Sequence, residues 1–379
     1  MFIYYFLLVN LVIWIVLSIY LVANTRKIAF LKDQPVTDKK PGVAIVIAVR
    51  DEEDHLREAL SSVCNLNYRA LRVVVVNDRS TDKTGEILTE LSTSYPQLHI
   101  ETISSLPPGW LGKTHALYKG YGQVHEEWIL FTDADVVFGP DALKKAMSYA
   151  LANRLDHLTV LPQVKSRSEV LNSVVSTFQV MLEIKLRPWE ARNTKSKASI
   201  GVGAFNLVRK TAYEEAGTHE KIKLRPDDDL QLAQAFKLAG LRTDVLYGED
   251  EIELEWYHSI SDFVNGLMKN TFSAFNYQFI PAMVAAFGAF VAFALPIPLG
   301  LLSGELKTIL LACALLLVQL LLNLGRRGNS TRWWYSFSLT YGGALLSYIT
   351  FKATFKTLKD KGIYWRGTFY SLKELRSNQ

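Results

Sequence analysis

Two short acidic runs carry residue types and spacings that could do chemistry. In ILFTDADVVF, Ile129 to Phe138, an apolar run that reads as a buried strand is interrupted by Asp133 and Asp135 and then resumes. Alternation along a strand puts both carboxylates on one side, about 6 to 7 Å apart. No Lys or Arg lies between Ile129 and Pro140, so the two acids repel unless a cation sits between or beyond them. A hard divalent ion, Mg2+ or Mn2+, held by one or two carboxylates and completed by diphosphate oxygens, resolves that cost. An isolated DxD is more readily a solvated turn; the apolar strand on both sides is what argues for a metal.

The second run, LRPDDDLQLAQAFKLAG from Leu224 to Gly240, sets Asp227, Asp228 and Asp229 at the start of a helix with the apolar positions Leu230, Leu232, Ala233, Phe236 and Leu238. The helix dipole favours one or two acids there. Three in a row repel one another, and one of them with a raised pKa would make a general base. Upstream, AVRDEEDHL crowds Arg50, Asp51, Glu52, Glu53 and Asp54 where a strand ends, which an acidic first turn of a helix explains equally well. VVNDRSTDKTGEI leaves Asp78 at a strand's carboxyl edge; Ser80 or Asp82 can cap the helix that follows, but capping does not account for Asp78. PPGWLGKTHAL delivers Lys113 to a helix start, where a lysine opposes the dipole and suits a bound anion better than it suits structure. Its glycine spacing is not that of a P-loop. GVGAFNLVRK, Gly201 to Lys210, has small residues where a backbone must approach something closely.

The elements that must position these groups alternate between strand and helix. VAIVIAV (Val43 to Val49), RVVVVND (Arg72 to Asp78), EWILFTDADVVF and LTVLPQV (Leu158 to Val164) read as parallel strands covered on both faces. The pattern predicts an α/β protein with a doubly wound sheet and a ligand site at the carboxyl ends of its strands.

The chain has 379 residues, 49% of them hydrophobic, and the apolar content is uneven. Phe2 to Ala23 carries no charge and, at 1.5 Å per residue, is long enough to cross a hydrocarbon core of about 30 Å. It lacks the basic start and the small-residue cleavage site of a signal peptide, so it reads as a transmembrane anchor. Arg26, Lys27, Lys32, Lys39 and Lys40 follow and mark the cytoplasmic side. Ile280 to Leu302 and Thr308 to Leu324 are long enough to span, and Tyr335 to Phe351 is a weaker third candidate. Three spans would carry the tail outside, whereas Lys352, Lys356, Lys359, Lys361, Arg366, Lys373 and Arg376 belong inside; the sequence leaves that conflict open. The net charge of +5 is modest and no basic stripe with interleaved aromatics appears, which argues against a nucleic acid partner. Cys64 and Cys313 offer neither a disulfide framework nor a CxxC metal site.

Taken in order, these motifs resemble those of the family-2 glycosyltransferases, inverting enzymes of the GT-A fold that use nucleoside diphosphate sugars. The resemblance covers roughly Gly42 to Tyr277. It implies a membrane anchor over 1–24, a cytoplasmic catalytic domain over 41–279, C-terminal spans within 280–351 and a basic, aromatic tail over 352–379, in a multi-pass protein of the cell membrane. It implies that Ala48, Glu52 and Asp78 line the uridine site, Glu52 and Asp78 as the carboxylate contacts, and that Lys113 lies near the uracil or the phosphates. Asp133 and Asp135 match the family's DxD, with Asp135 the direct ligand of Mg2+ or Mn2+; Asp228 and Asp229 match its Glu-Asp pair, with Asp229 the base.

The polysaccharide synthases of the family carry a QxxRW sequence that WYHSISDFVNGLMKNTF does not contain; Lys269 falls where its Arg is expected and would face the leaving diphosphate. The layout is similar to the branch that glycosylates membrane lipids, so the expectation is one transfer from a UDP-hexose to a lipid hydroxyl or carboxyl. A processive polysaccharide synthase and a membrane-tethered nucleotidyltransferase are the alternatives. The segment Val170 to Asn193 reads either as an interfacial helix guiding a lipid or as a buried domain helix. KGIYWRGTFYSL, Lys361 to Leu372, resembles the WxGxxY ending of the lipid-modifying branch and reads equally well as an interfacial anchor.

Overall fold

The β-branched runs at the start of the globular region form strands whose alternate residues enter opposite layers of the protein. The computed structural model describes residues 1–36, 41–328, 332–365 and 367–377, apart from the side chains of Lys269 and Ser377. Lys39, Lys40, Arg366 and the side chain of Lys269 therefore lie outside the described residues. The strands are β1 (Ala29–Phe30), β2 (Val43–Val49), β3 (Leu71–Asp78), β4 (Leu98–Ile103), β5 (Trp128–Thr132), β6 (Val136–Phe138), β7 (His157–Leu161), β8 (Gln163–Val164), β9 (Asn206–Arg209), β10 (Thr243–Tyr247), β11 (Ile252–Leu254), β12 (Gly362–Trp365) and β13 (Thr368–Ser371). The main sheet has the order β1-β10-β7-β9-β5-β2-β3-β4.

Ile45, Ile47, Val73 and Val75 pack into one layer, while Ala44, Val46, Val74 and Val76 pack into the other. Each fully buried Val or Ile contributes about 1.5–3 kcal/mol, so this alternation holds the sheet between its two helical layers.

The sheet is α/β and doubly covered as expected, but it is not wholly parallel. β9 runs antiparallel to both β5 and β7. Its N-terminal end therefore lies at the edge where β2, β3 and β5 have their carboxyl ends, and the GVG segment before it arrives there. The expected single strand across Ile129 to Phe138 is corrected: β5 stops at Thr132, residues 133–135 turn, and β6 joins a second sheet of order β6-β11-β8. LTVLPQV likewise divides between the two sheets as β7 and β8. The sheet also begins earlier than residue 41, since Ala29 and Phe30 pair with Leu246 and Tyr247.

Among the described residues two helices are long and apolar enough to cross a membrane, Phe2–Thr25 and Leu306–Gly325, with mean hydropathies of 2.6 and 2.3. They pack on one another through a stripe that includes Leu7, Trp14, Leu21, Leu315 and Leu322, and leave Val12, Val16, Leu317 and Leu321 exposed. The span expected over Ile280 to Leu302 is broken into Phe279–Ala289, a wider turn over Phe290–Ala294, and Pro296–Leu301. The third candidate, Tyr335 to Phe351, begins in the 3-10 turn Trp333–Phe337 and continues into the helix Ser338–Lys359, which buries Ser338, Ser347, Thr350, Thr354 and Thr357.

That helix packs against Glu169–Leu186 and Ile260–Ser273. Thr177 and Ser338 share a hydrogen bond of 2.9 Å, and Ser338 also donates to the Ser173 carbonyl at 2.7 Å. Of the two readings for Val170 to Asn193, the buried one describes its contact with this helix. The tail is an ordered β12–β13 hairpin that folds back on the catalytic domain, with Ile363 and Tyr370 buried against Leu111 and Leu224.

Candidate active site

At the carboxyl edge the chain leaves the sheet three times within a short distance, at the ends of β2, β3 and β5. The end of β2 leads into Arg50 to Asp54, where Glu52 donates its backbone N–H to Thr84 Oγ1 at 2.9 Å and Glu53 donates to Asp82 Oδ2 at 3.1 Å. The loop after β2 is thereby tied to the loop after β3. Ala48, partly exposed, pairs with Val76 near the end of β2.

Asp78 is buried and already engaged: Arg79 grips it through two nitrogens, at 2.7 and 3.0 Å, and Arg50 Nη1 lies 3.9 Å from its Oδ2. The expectation for Asp78 omitted these partners. Arg79 is the neighbouring residue, and its position beside a buried acid was the available signal. Gly112, first in the helix Gly112–Tyr121, abuts the Asp78 carboxylate, and a Cβ there would collide with it. An acid at a helix N-terminus is stabilised by the dipole, so Asp78 and this helix support each other.

Lys113, the next residue, sends its ammonium to Asp133 Oδ1 at 2.8 Å and to Asp228 Oδ1 at 3.4 Å. Burial opposes the charge, but Asp133, Asp228 and Asp229 outweigh it and hold the lysine charged well above its usual range. The expectation that Asp133 and Asp135 lack a compensating cation holds only along the sequence. In space Lys113 neutralises Asp133, and the anions that offset its place in the dipole are the protein's own carboxylates.

Asp135 forms no ion pair among the described residues, and the Lys113 charge offsets its burial only in part. Its Oδ1 is buried and has no hydrogen-bond partner among the described residues. Burial, then the charges of Asp133 and Glu52, push its carboxyl upward. An orphaned carboxylate oxygen between two other acids fits a cation. Among the described residues no three His, Cys, Asp or Glu side chains gather to hold a metal alone. Asp135 and Asp133 would therefore supply part of a coordination sphere, with diphosphate oxygens and water as the remainder, the usual arrangement for Mg2+. Tyr257, which the sequence reading missed, lies near Asp135; burial first, and then the charge of Asp135, push its phenol upward.

The three acids of the second run have separate fates. Asp227 stands just before the helix Asp228–Leu238 without a side-chain capping bond to it, and is bound by Arg225 at 3.0 and 2.9 Å, by Gln231 at 2.8 Å and by Ser273 at 2.9 Å. Burial works against its charge, yet these partners keep it below the usual carboxylate range. Asp228 faces Lys113. Asp229 accepts the Gly203 N–H on Oδ2 at 2.8 Å and the Leu230 N–H on Oδ1 at 2.8 Å. Burial, then the neighbouring charge of Asp228, push Asp229 upward.

Gly203 links the two acidic runs. Its carbonyl accepts the Asp133 N–H at 3.0 Å while its own N–H holds Asp229, and a Cβ on it would strike the Asp133 carboxylate. The small residues of GVGAFNLVRK thus sit where backbone meets carboxylate, as their type predicts. A small cavity beneath is lined by Lys113, Asp133, Gly203, His219, Asp228 and Asp229, among others. His219 was not singled out from sequence; burial, with the Lys113 charge, pushes it down to about 3, so it is neutral.

The structure therefore gathers Lys113, Asp133, Asp228 and Asp229 around one cavity, with Asp135 and Glu52 adjoining through their charges. Lys269 lies on the helix Ile260–Ser273, its side chain outside the described residues.

Comparison with known proteins identifies the family and the fold. Residues 41–252 match the family described as glycosyltransferase like family 2. A poly-beta-1,6-N-acetyl-D-glucosamine synthase of Staphylococcus epidermidis is 24% identical over 215 residues, covering 54% of this chain and 50% of that protein. The synthase of the same name from Staphylococcus aureus (strain MSSA476) is 24% identical over 237 residues, covering 60% and 54%. The chain spans about half the length of the curated relatives it matches. Among solved structures, a mannosyltransferase from Pyrobaculum calidifontis in complex with GDP-Man and Mn2+ shares the fold, with a TM-score of 0.56 at 15% identity over 95% of this chain and 99% of that one. Since the match covers more than half of the chain and spans the strands that carry these acids, this protein belongs to glycosyltransferase family 2 and is a glycosyltransferase of the GT-A type.

Proposed function

We propose that this enzyme transfers one hexose from a UDP-sugar, with inversion, to a hydroxyl or carboxyl of a membrane lipid. The observation that carries the reading is the division of labour among the acids: Asp229 is buried beside Asp228 with backbone N–H groups on its oxygens and its charge only partly offset by Lys113, while Asp135 keeps a buried oxygen without a hydrogen-bond partner among the described residues. Asp229 takes the proton from the acceptor hydroxyl; the freed oxygen attacks the anomeric carbon as the bond to the diphosphate breaks and its electron pair leaves with the diphosphate. The backbone amides of Gly203 and Leu230 fix the orientation of that base. Lys113 pairs with Asp133 and Asp228, which leaves Asp229 as the acid of this cluster without an ion pair among the described residues. Mg2+ or Mn2+, held by Asp135 with Asp133, would supply electrostatic stabilisation of the leaving diphosphate. Glu52, Ala48 and the Asp78–Arg79 pair form the nucleoside side.

The placement of the tail supports a topology that removes the conflict in the sequence. A hairpin packed on the catalytic domain shares its side of the membrane, so the chain crosses an even number of times between them. In that topology the broken stretch Phe279–Leu301 and the helix Leu306–Gly325 form the outward and return legs, and the hydroxyl-rich helix Ser338–Lys359, which packs on both the first leg and the helices Glu169–Leu186 and Ile260–Ser273, leads back to the hairpin on the cytoplasmic side, set by the basic flank of the first helix.

A processive synthase is the second reading, favoured by the names of the Staphylococcus relatives. Incubating the purified protein with UDP-sugars, a membrane lipid extract and Mn2+ or Mg2+ separates the two. A lipid heavier by one hexose is expected; a ladder of polymer supports the synthase, and transfer to neither class overturns the lipid reading.

A further inference from the structure

A second cavity lies apart from the acids, where three helical segments meet at one end of the apolar helices. Gln319, Asn323 and Arg326 recur at helical spacing along and just past Leu306–Gly325, so they share one face, while Leu317, Leu321 and Leu324 on another face are exposed. Ser176, Val180 and Glu183 follow the same spacing on Glu169–Leu186. The two faces meet around the cavity, with Tyr335, Ser336 and Leu339 on its third side, and Arg326 Nη1 donates to Glu183 Oε2 at 2.7 Å. The helix ends level with the first one: a Cβ on Gly325 would stand 3.0 Å from Val22, three residues before Thr25 and the basic Arg26 and Lys27. Arg326 is thus at the depth of that basic flank, where headgroups lie on the membrane reading.

The side chain of Arg326 is only 1% exposed, yet a single nitrogen of it is used. Nε and Nη2 are buried with no hydrogen-bond partner among the described residues, and Gln319 Oε1 is in the same condition. Elsewhere in this chain that edge of a guanidinium grips a carboxylate. Arg79 holds both oxygens of Asp78 through Nε and Nη2, and Arg225 holds both oxygens of Asp227 in the same way. The open edge of Arg326 offers two parallel donors, which match paired oxygens of a phosphate or carboxylate. Gln319 Oε1 is an acceptor and complements a hydroxyl beside them. Buried polar atoms are costly to leave unmade, and a polar side chain within a spanning helix marks a site.

We infer that this cavity binds the headgroup of a membrane lipid, with phosphate or carboxylate oxygens on the Nε–Nη2 edge of Arg326 and a neighbouring hydroxyl on Gln319. The inference rests on the membrane placement proposed above and is independent of which acceptor is glycosylated. Glu183 offsets the charge of the guanidinium and fixes its orientation, so the site selects paired oxygens more than net charge. The apolar cluster around the cavity also takes in Val202 and Leu230, the chain neighbours of Gly203 and Asp229, so a lipid held here lies on the base side of the catalytic domain.

The test uses the full chain and native mass spectrometry, with release from detergent micelles carrying either phosphatidylglycerol or diacylglycerol of the same acyl chains. One phosphatidylglycerol per chain should be retained, about tenfold more tightly than diacylglycerol, which lacks the oxyanion. Arg326→Lys keeps a charge opposite Glu183 but loses the fork, and should lose most of that preference. Gln319→Leu leaves the Glu183–Arg326 pair intact and should weaken phosphatidylglycerol retention about threefold; it carries the test alone if Arg326→Lys does not fold. Equal retention of the two lipids by the unaltered chain, or an unchanged preference in either folded variant, overturns the inference and leaves water as the content of the cavity. Displacement of the lipid by inorganic phosphate overturns the lipid source in favour of a soluble anion. A chain that stays folded and monodisperse with neither detergent nor lipid overturns the membrane placement, and this inference with it.

Discussion

The acids of LRPDDDL and those of FTDADVV occupy similar strings of sequence and end with opposite assignments. In the first, Asp227 is enclosed by Arg225, Gln231 and Ser273 and Asp228 pairs with Lys113, while Asp229 has backbone amides on its oxygens, the charge of Asp228 beside it and only partial relief from Lys113. In the second, the leading Asp133 pairs with Lys113, whereas the trailing Asp135 forms no ion pair among the described residues and feels Lys113 only at a distance. Each run therefore contains acids paired with a cation and one left in a costly state. A buried carboxylate without a cation raises its pKa or waits for one, and such groups are where chemistry is found.

The contrast can be broken at its strongest point first. Asp229→Asn and Asp135→Ala should each lower kcat by about 100-fold or more, measured as sugar transfer per enzyme, whereas an effect confined to stability would mean the acids were assigned wrongly. Chelating divalent ions should reproduce the Asp135 loss in the unaltered enzyme, and added Mn2+ should restore activity.

Asp227→Asn tests the architectural partner. It leaves Arg225 buried without its counter-charge, and an unfolding measurement should show a loss of about 3–5 kcal/mol. Below its new melting point this variant should still turn over; a variant as stable as the original would dissolve the distinction drawn between Asp227 and Asp229.

The smallest effect sharpens the base assignment. A base must be charged to accept a proton, and the folded protein raises Asp229, so kcat/KM should fall as pH drops through that raised value. Asp228→Asn removes a like charge that contributes to the raising, and the acid limb of the pH profile should move to lower pH. A limb that stays in place would shift the role of base away from Asp229.

Much of the fold was legible because its signals are local. The β-branched runs of β2 and β3 and the helix after Asp227 read correctly, since a strand's alternation and a helix's apolar face are properties of neighbouring residues. β9 was not legible: NLVR is too short to announce a strand, and only its pairing with Phe131 and Thr159 makes it one. The interruption of ILFTDADVVF read as a pause in a strand, whereas the chain leaves one sheet there for another, a choice made by the pairing of Val136 with Leu254.

By itself the sequence determined which segments are apolar enough to enter a membrane, where strands and helices begin, and that acids gather at the strand ends. Periodicity, composition and the helix dipole act over a few residues and survive in the one-dimensional string. Only the tertiary structure decided which acids would be neutralised, because charges pair by distance in space and Lys113 lies 20 residues from Asp133 along the chain. It also packed the C-terminal hairpin on the catalytic domain, where burial of Leu111, Ile363 and Tyr370 together outweighs the entropy of closing so long a loop, which grows only with the logarithm of its length.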